Sequence, residues 1–483
     1  MMHVRLAAFG AAALLALPLA AAAQTPAIDL AFTPEAGIVG TPVAARASGL
    51  APNARYTLVW RSGDPHWRTQ DGKFFGIEAP ETARALASGV SDAHGALALR
   101  FAVPEDFGYL HDVELHAAGA VPDAQPAASQ GFTVVPHLTL AARSGPSGAP
   151  IAITVTGLGY RFYQVVWHLL YDGAQTGWLS AVTTHGTARV TIPATGEIGV
   201  HTLQAIEGPT APYLNGQQSP NAQAAIPQVI AATFRIVPGA AVPAPAAAAQ
   251  QPKRLPGVAT VETAQAALTS DTGSGPVGST IDVAGARFAP HAAVTLTWET
   301  LVGNRLSGSG WSTVERPLAS ATADASGAFA VRVRAPEDLG GSHRLIARAG
   351  DVQATAPYSI VPSVEEIAPR AVHPGETFTL HLHGVGWTET ANTYTTVLDN
   401  GFIGYECGFN SGGDVIVRVR APGRVGVHYV DLYPTIYRGQ VLGPGAPPAG
   451  AQVNGIYFLL PMLNAIDHPG EALPAFHLSF EVR

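Results

Sequence analysis

A single cysteine, Cys407, among 483 residues leaves no partner for an intramolecular disulfide, so the fold must be held by apolar cores. Charge is scarce as well, at 13% of residues, with a formal net charge of -8. That balance offers no attraction to nucleic acid or to an anionic membrane surface. Beyond the N-terminus no run approaches the roughly 20 apolar residues that a membrane-spanning helix needs. Sustained helical periodicity is missing, and so are a G-x-S-x-G elbow, a phosphate-binding glycine loop followed by Lys, and a dinucleotide fingerprint. The expectation is a non-enzymatic chain without a cofactor.

What the chain has in abundance is repetition. The segment Leu58–Gly108 opens L-V-W-R and closes P-E-D-F-G, and Leu296–Gly340 opens L-T-W-E and closes P-E-D-L-G. A second kind of segment recurs as Gly157–Gln217 and Gly384–Gln440. It aligns Asp172 with Asp399, Gly177 with Gly404, Trp178 with Tyr405, and His201 with His428. The order is odd, even, odd, even, which reads as a duplicated two-module unit with a period of about 100 residues. With 47% hydrophobic residues there is enough apolar material for several cores.

Short stretches alternate apolar and polar residues between Gly, Pro, Asp and Asn, as in Ile281–Val283, Val294–Trp298 and Phe329–Val333. This period of two predicts half-buried antiparallel strands. Closing signatures Phe132–Pro136, Phe234–Pro238 and Tyr358–Pro362 mark three module ends, and Phe480–Val482 marks the fourth. A glycine-bounded entry strand, the [YV]-T-L-x-W strand, the D-x-x-G turn and this closing signature resemble the tandem immunoglobulin-like repeats of bacterial exported proteins, in the broad sense that includes IPT/TIG-like modules. The resemblance implies an all-β fold of four tandem immunoglobulin-like β-sandwiches in two duplicated pairs; it implies no activity.

The expected organisation is a signal peptide over residues 1–23, sandwiches over 28–136, 137–238, 263–362 and 363–483, and an Ala/Pro-rich linker over 239–262. The leader rests on Arg5, the apolar stretch Leu6–Leu19 and the small residues Ala21–Ala23; it implies a secreted or periplasmic protein with no membrane span once removed. The linker is expected to hinge two rigid pairs.

Trp60, Trp167, Trp298 and Tyr394 read as core anchors, and Asp92–Gly95 and Asp324–Gly327 as hairpin turns rather than calcium loops. His381 and His383 fall two apart on one strand face, with His373 and His428 as potential neighbours. No Cys-x-x-Cys, His-Glu-x-x-His or carboxylate cluster completes a site in the sequence, so no metal is assigned. Cys407 reads as a small buried hydrophobe rather than a nucleophile.

The even modules carry the binding candidates. Long connections run from Pro209 to Gln228 and onward from Tyr437, and loops of that length are functional or self-packed caps. Asp172, Trp178 and Tyr213 in the first copy match Asp399, Tyr405 and Tyr437 in the second, which adds Tyr433. Aromatic faces beside a carboxylate suit a sugar ring, and equally a protein partner in the cell envelope. The expected function is non-catalytic binding or adhesion through these loops. The alternatives are a structural spacer or assembly subunit, and a hydrolase with its site in the last module.

Overall fold

The computed structural model describes residues 28–70, 72–119, 125–161, 164–208, 229–251, 254–257, 266–303, 311–437, 460–470 and 472–483. Alternation of apolar residues produces strands throughout, and the only helical turns among these residues are the short 3₁₀ segments Ala247–Gln250, Phe409–Ser411 and Ala465–Asp467. No described helix is long and apolar enough to cross a membrane.

In the first sandwich, Asp29–Thr33, Pro42–Ser48 and Leu97–Ala102 form a three-stranded sheet. The other sheet has the order Ala36–Gly37, Ala128–Val134, Tyr109–Ala117, Arg55–Gly63, Glu81–Val90. The same three-plus-five arrangement recurs three more times, always with the short second strand parallel to the last. Even the irregularities repeat: a register shift falls at Leu58/Val59, Leu169/Leu170, Leu296/Thr297 and Thr396/Val397. The fold is therefore all-β, four tandem immunoglobulin-like sandwiches in two duplicated pairs. Trp60, Trp167, Trp298 and Tyr394 lie in the four cores.

Within each pair the modules meet through the glycine that ends the P-E-D-[FL]-G motif. The Gly108 amide donates to the Leu158 carbonyl (3.1 Å), and that of Gly340 to Val385 (3.1 Å). A Cβ on Gly108 would fall 1.9 Å from the Gly157 oxygen, and one on Gly340 2.0 Å from that of Gly384, so only glycine permits this approach. The Asp of the same motif is buried and anchors the core tryptophan. The Trp60 indole N–H donates to Asp106 and that of Trp298 to Asp338, both at 2.9 Å. A histidine stacks on each indole, His111 on Trp60 and His343 on Trp298.

The stretch after Pro238 is not a free hinge over residues 239–251. Val242 donates to Ser147 (2.8 Å) and accepts from the Tyr429 hydroxyl (2.9 Å). Ala244 donates to the Ser479 hydroxyl (3.1 Å), and Gln250 exchanges bonds with His477 across the last strand. An Ala/Pro-rich segment buries little apolar surface of its own, but its backbone groups still need partners, and a turn of the second module and strands of the fourth supply them. Over 239–251 the expected hinge is a strap holding these two modules together, while 252–253 and 258–262 lie outside the described residues.

Candidate binding face on the paired even modules

Each even module places an aspartate at a tight hairpin. Asp172-Gly173 and Asp399-Asn400 occupy left-handed backbone (φ 49° and 80°; 48° and 64°), which these residue types tolerate. The carboxylates are taken up locally. His201 lies 2.6 Å from Asp172 and His428 2.5 Å from Asp399, while the following amides, Thr202 and Tyr429, donate to the same aspartates. Asp172 and Asp399 thus fasten turns, with the Asp172 side chain the more exposed of the two.

The hairpin tips face the other even module. Thr176 donates to the Asn400 carbonyl (2.7 Å), and the Asn400 amide donates to Pro193 (2.8 Å) and Thr195 (2.9 Å). Trp178, proposed from sequence as a stacking face, is fully buried. Its amide donates to Pro461 (2.8 Å), its indole to Leu460 (3.1 Å), and Leu463 donates back to its carbonyl (3.0 Å). Tyr433 is 2% exposed and lies in the core of the second module together with Val397 and Leu463. Both aromatics belong to the interface between the modules, so neither presents a face to a sugar. The reason is tertiary: segment 460–467 of the fourth module lies across the second.

Asp467 makes that crossing polar as well as apolar. Its carboxylate accepts from the Ser180 hydroxyl, the Val182 amide (3.0 Å), and the Thr183 amide and hydroxyl (2.6 and 2.7 Å). Burial raises its carboxyl above the ordinary aspartate range, against the pull of these donors. The first module joins through the hairpin His66–Gln70/Lys73–Glu78: the Trp67 indole donates to the Asp467 carbonyl (2.5 Å) and the Phe74 amide to Glu389 (2.9 Å). Trp67, Phe74, Val165, Val166, Trp178, Val182, Ile436 and Met462 form one cluster drawn from three modules.

Of the remaining sequence candidates, Tyr405 is 52% exposed, two residues from exposed Ile403 on the edge strand Gly401–Cys407. Tyr437 is half-buried, its amide donating to the Glu389 carbonyl (2.9 Å). Tyr213, with connections 209–228 and 438–459, lies outside the described residues. Among the described residues the proposed aromatic–carboxylate constellation is therefore not assembled, and Tyr405 is its exposed remnant. Next to it Glu406 is half-buried, accepts from Thr396 (3.0 Å), and burial pushes its carboxyl up to about 7. The Cys407 thiol lies 3.0 Å from the Thr393 hydroxyl.

Sequence reading overlooked the clefts between odd and even modules. The first, about 560 Å³, is lined by Trp60, Arg84, Glu105, Asp106, His185 and Arg189; its counterpart in the second pair is about 370 Å³. Recurrence of the P-E-D motif and of the arginine opposite the tryptophan (Arg84, Arg316) was the available signal. In the first cleft Arg84 pairs with Asp106 (3.2 Å) and Arg189 with Glu105 (3.0 Å), so its charges answer one another. Of His373, His381, His383 and His428, His381 and His383 meet with ring centroids 4.0 Å apart, while His428 is bound to Asp399 and His373 to the Arg483 carbonyl.

Fold and face together define a tandem immunoglobulin-like protein whose even modules are clasped. No family model matches the sequence, and no curated relative is detected. Among solved structures, similarity extends to a Salmonella alpha-2-macroglobulin reacted with methylamine (12% identity, 92% of this chain and 30% of that one, TM-score 0.19). It extends also to invasin, a bacterial integrin-binding protein (11% identity, 84% and 76%, TM-score 0.17), and to an ICAM-5 D1–D4 ectodomain fragment (10% identity, 94% and 100%, TM-score 0.16). The chain thus spans about a third of the macroglobulin's length. At such low TM-scores the fold assignment rests on the sheets themselves.

Proposed function

We propose that this is a non-catalytic binding or adhesion protein, secreted or periplasmic, which engages a carbohydrate or protein partner of the cell envelope through the loop-bearing end of its even modules. One observation carries this reading. The roots of both long connections converge on the three-module cluster: Gly208 donates to Val166 (3.0 Å), Leu460 accepts from Trp178 and Thr435, and Ile436 lies inside the cluster. Loops rooted on a buried platform pay less ordering entropy on binding than loops on mobile ends. Sandwich ends are also where such folds carry their sites.

The test is a thermal-unfolding screen of the full chain against oligosaccharides and peptidoglycan fragments. A ligand at a hundred times its dissociation constant stabilises the native state by about 2.7 kcal/mol. The shift should vanish when connections 209–228 and 438–459 are both replaced by short Gly-Ser linkers, while the ligand-free midpoint stays within a few degrees. A shift that survives both replacements moves the site elsewhere. No shift with any probe favours the spacer reading.

A further inference from the structure

We propose that the junction of the third and fourth modules holds a divalent transition-metal ion of the zinc class, ligated by His381, His383 and Glu365. Two of the three ligands share one strand, and the third lies just past the end of its neighbour in the same sheet. His381 and His383 project from the outer face of Thr377–His383, alternating with the inward Leu380 and Leu382. Glu365 follows Ser363–Val364 and pairs through its amide with the His381 carbonyl (2.9 Å). Asp414 directly precedes Val415–Arg420, and Glu337 reaches across from the P-E-D-L-G turn of the third module.

All four ring nitrogens face carboxylate oxygens. On the inner side, His381 Nδ1 is 3.3 Å from one Glu365 oxygen and His383 Nε2 is 3.2 Å from the other. On the outer side, His381 Nε2 is 2.5 Å from Asp414 and His383 Nδ1 is 2.9 Å from Glu337. A neutral imidazole has one N–H and one lone pair, so with both rings neutral one nitrogen of each aims a lone pair at a negative oxygen. A proton on each ring or a cation between the inner nitrogens and Glu365 removes that conflict, and only the cation gives a saturable metal-binding event. One ligand atom from each of the three residues lies within 4.8 Å of the others, and small side-chain shifts would close them to the about 3.3 Å that separates donors about 2.0–2.1 Å from a tetrahedral ion. Asp414 and Glu337 then accept the outer N–H groups, the usual second partner of a metal-bound histidine. A second set, Glu337, His383 and Asp414, also has ligand atoms within 4.8 Å, but it offers one imidazole where the first offers two.

The duplication supplies an internal control. At the corresponding register of the second module stand Thr154 and Thr156 for the two histidines, Thr139 for Glu365 and Thr187 for Asp414. Only Glu105, the counterpart of Glu337, is retained. The site therefore belongs to the second pair alone. Three protein ligands leave a position open to solvent, and Glu337 makes occupancy sensitive to how the third module sits on the fourth.

Zinc titration calorimetry on the full, tag-free, chelator-treated chain tests this. One saturable equivalent is expected, lost in His381→Ala and in His383→Ala, and unaltered in Thr154→Ala. Glu337→Gln should weaken binding about 10- to 100-fold. No saturable event, or an affinity within twofold of wild type in both histidine variants, overturns the proposal. Should circular dichroism show either histidine variant unfolded, Glu365→Gln decides, since Glu365 is exposed: at least tenfold weaker binding supports the site, and unchanged affinity overturns it.

Discussion

Trp178 and Tyr405 hold the same place in the repeat and meet opposite fates. Each lies one residue past the glycine of the edge strand, opposite His168 and Thr395 of the neighbouring strand. Trp178 is wholly buried beneath Leu460–Met462, whereas Tyr405 is 52% exposed. The same contrast separates odd from even modules at large. Strands Arg55–Gly63 and Ala293–Gly303 alternate buried and partly exposed positions, as a sheet with one wet face should. Thr393–Leu398 and Gly426–Thr435 are buried almost continuously, because the second module covers what would be their outer face. The two edge strands thus meet at one interface, but the position of Trp178 is sealed within it while that of Tyr405 is left exposed.

Four measurements can break or sharpen that comparison. The largest effect is expected for Trp178→Ala, about 3–5 kcal/mol of destabilisation for a large buried aromatic at an interface. Denaturant unfolding that barely changed would mean the even modules do not clasp in solution. Asp467→Ala should follow at roughly 2–3 kcal/mol, because it strands the buried donors of Ser180 and Val182 and removes the part-buried bonds from Thr183. A loss confined to the fourth module, with the second unaffected in hydrogen exchange, would contradict the shared interface.

Glu406 gives a smaller, pH-dependent effect. Its native carboxyl sits at about 7 against an ordinary 4.5. Between those values the folded chain keeps a proton that the unfolded chain has released, so stability falls as pH rises through this window. Glu406→Gln should remove that decline, and parallel unfolding midpoints for wild type and variant between about pH 5 and 8 would argue against it. Tyr405→Ala should be nearly silent, within about 0.5 kcal/mol, as an exposed side chain. A loss near that of Trp178→Ala would show that something covers Tyr405 in solution.

The odd modules were the more legible. Their alternation, the recurring tryptophan and the D-x-x-G turns all report contacts within one sandwich, which local pattern captures. Even there the role of Asp106 and Asp338 was missed: P-E-D-[FL]-G reads as a strand-ending turn, and nothing local reveals that its aspartate reaches a tryptophan 46 or 40 residues away. In the even modules Trp178 and Tyr433 were read as ligand faces because aromatics next to polar residues look the same whether a ligand or another module covers them. A clue was present in Trp167–Tyr171 and Thr393–Leu398, where alternation lapses. Likewise His381 and His383 could be placed on one strand face, but Glu365, Asp414 and Glu337 join them only by strand pairing and module docking.

From its sequence alone this chain is bound to be a tandem array of β-sandwiches: period-two patterning, glycine and aspartate turns, and a repeat copied in pairs leave few other ways to bury its apolar residues. Which faces stay free was settled only in three dimensions. Strand periodicity encodes which side of a sheet is apolar, but docking between modules depends on side chains hundreds of residues apart, as with Trp67 and Asp467, and such pairings leave no local mark in the chain.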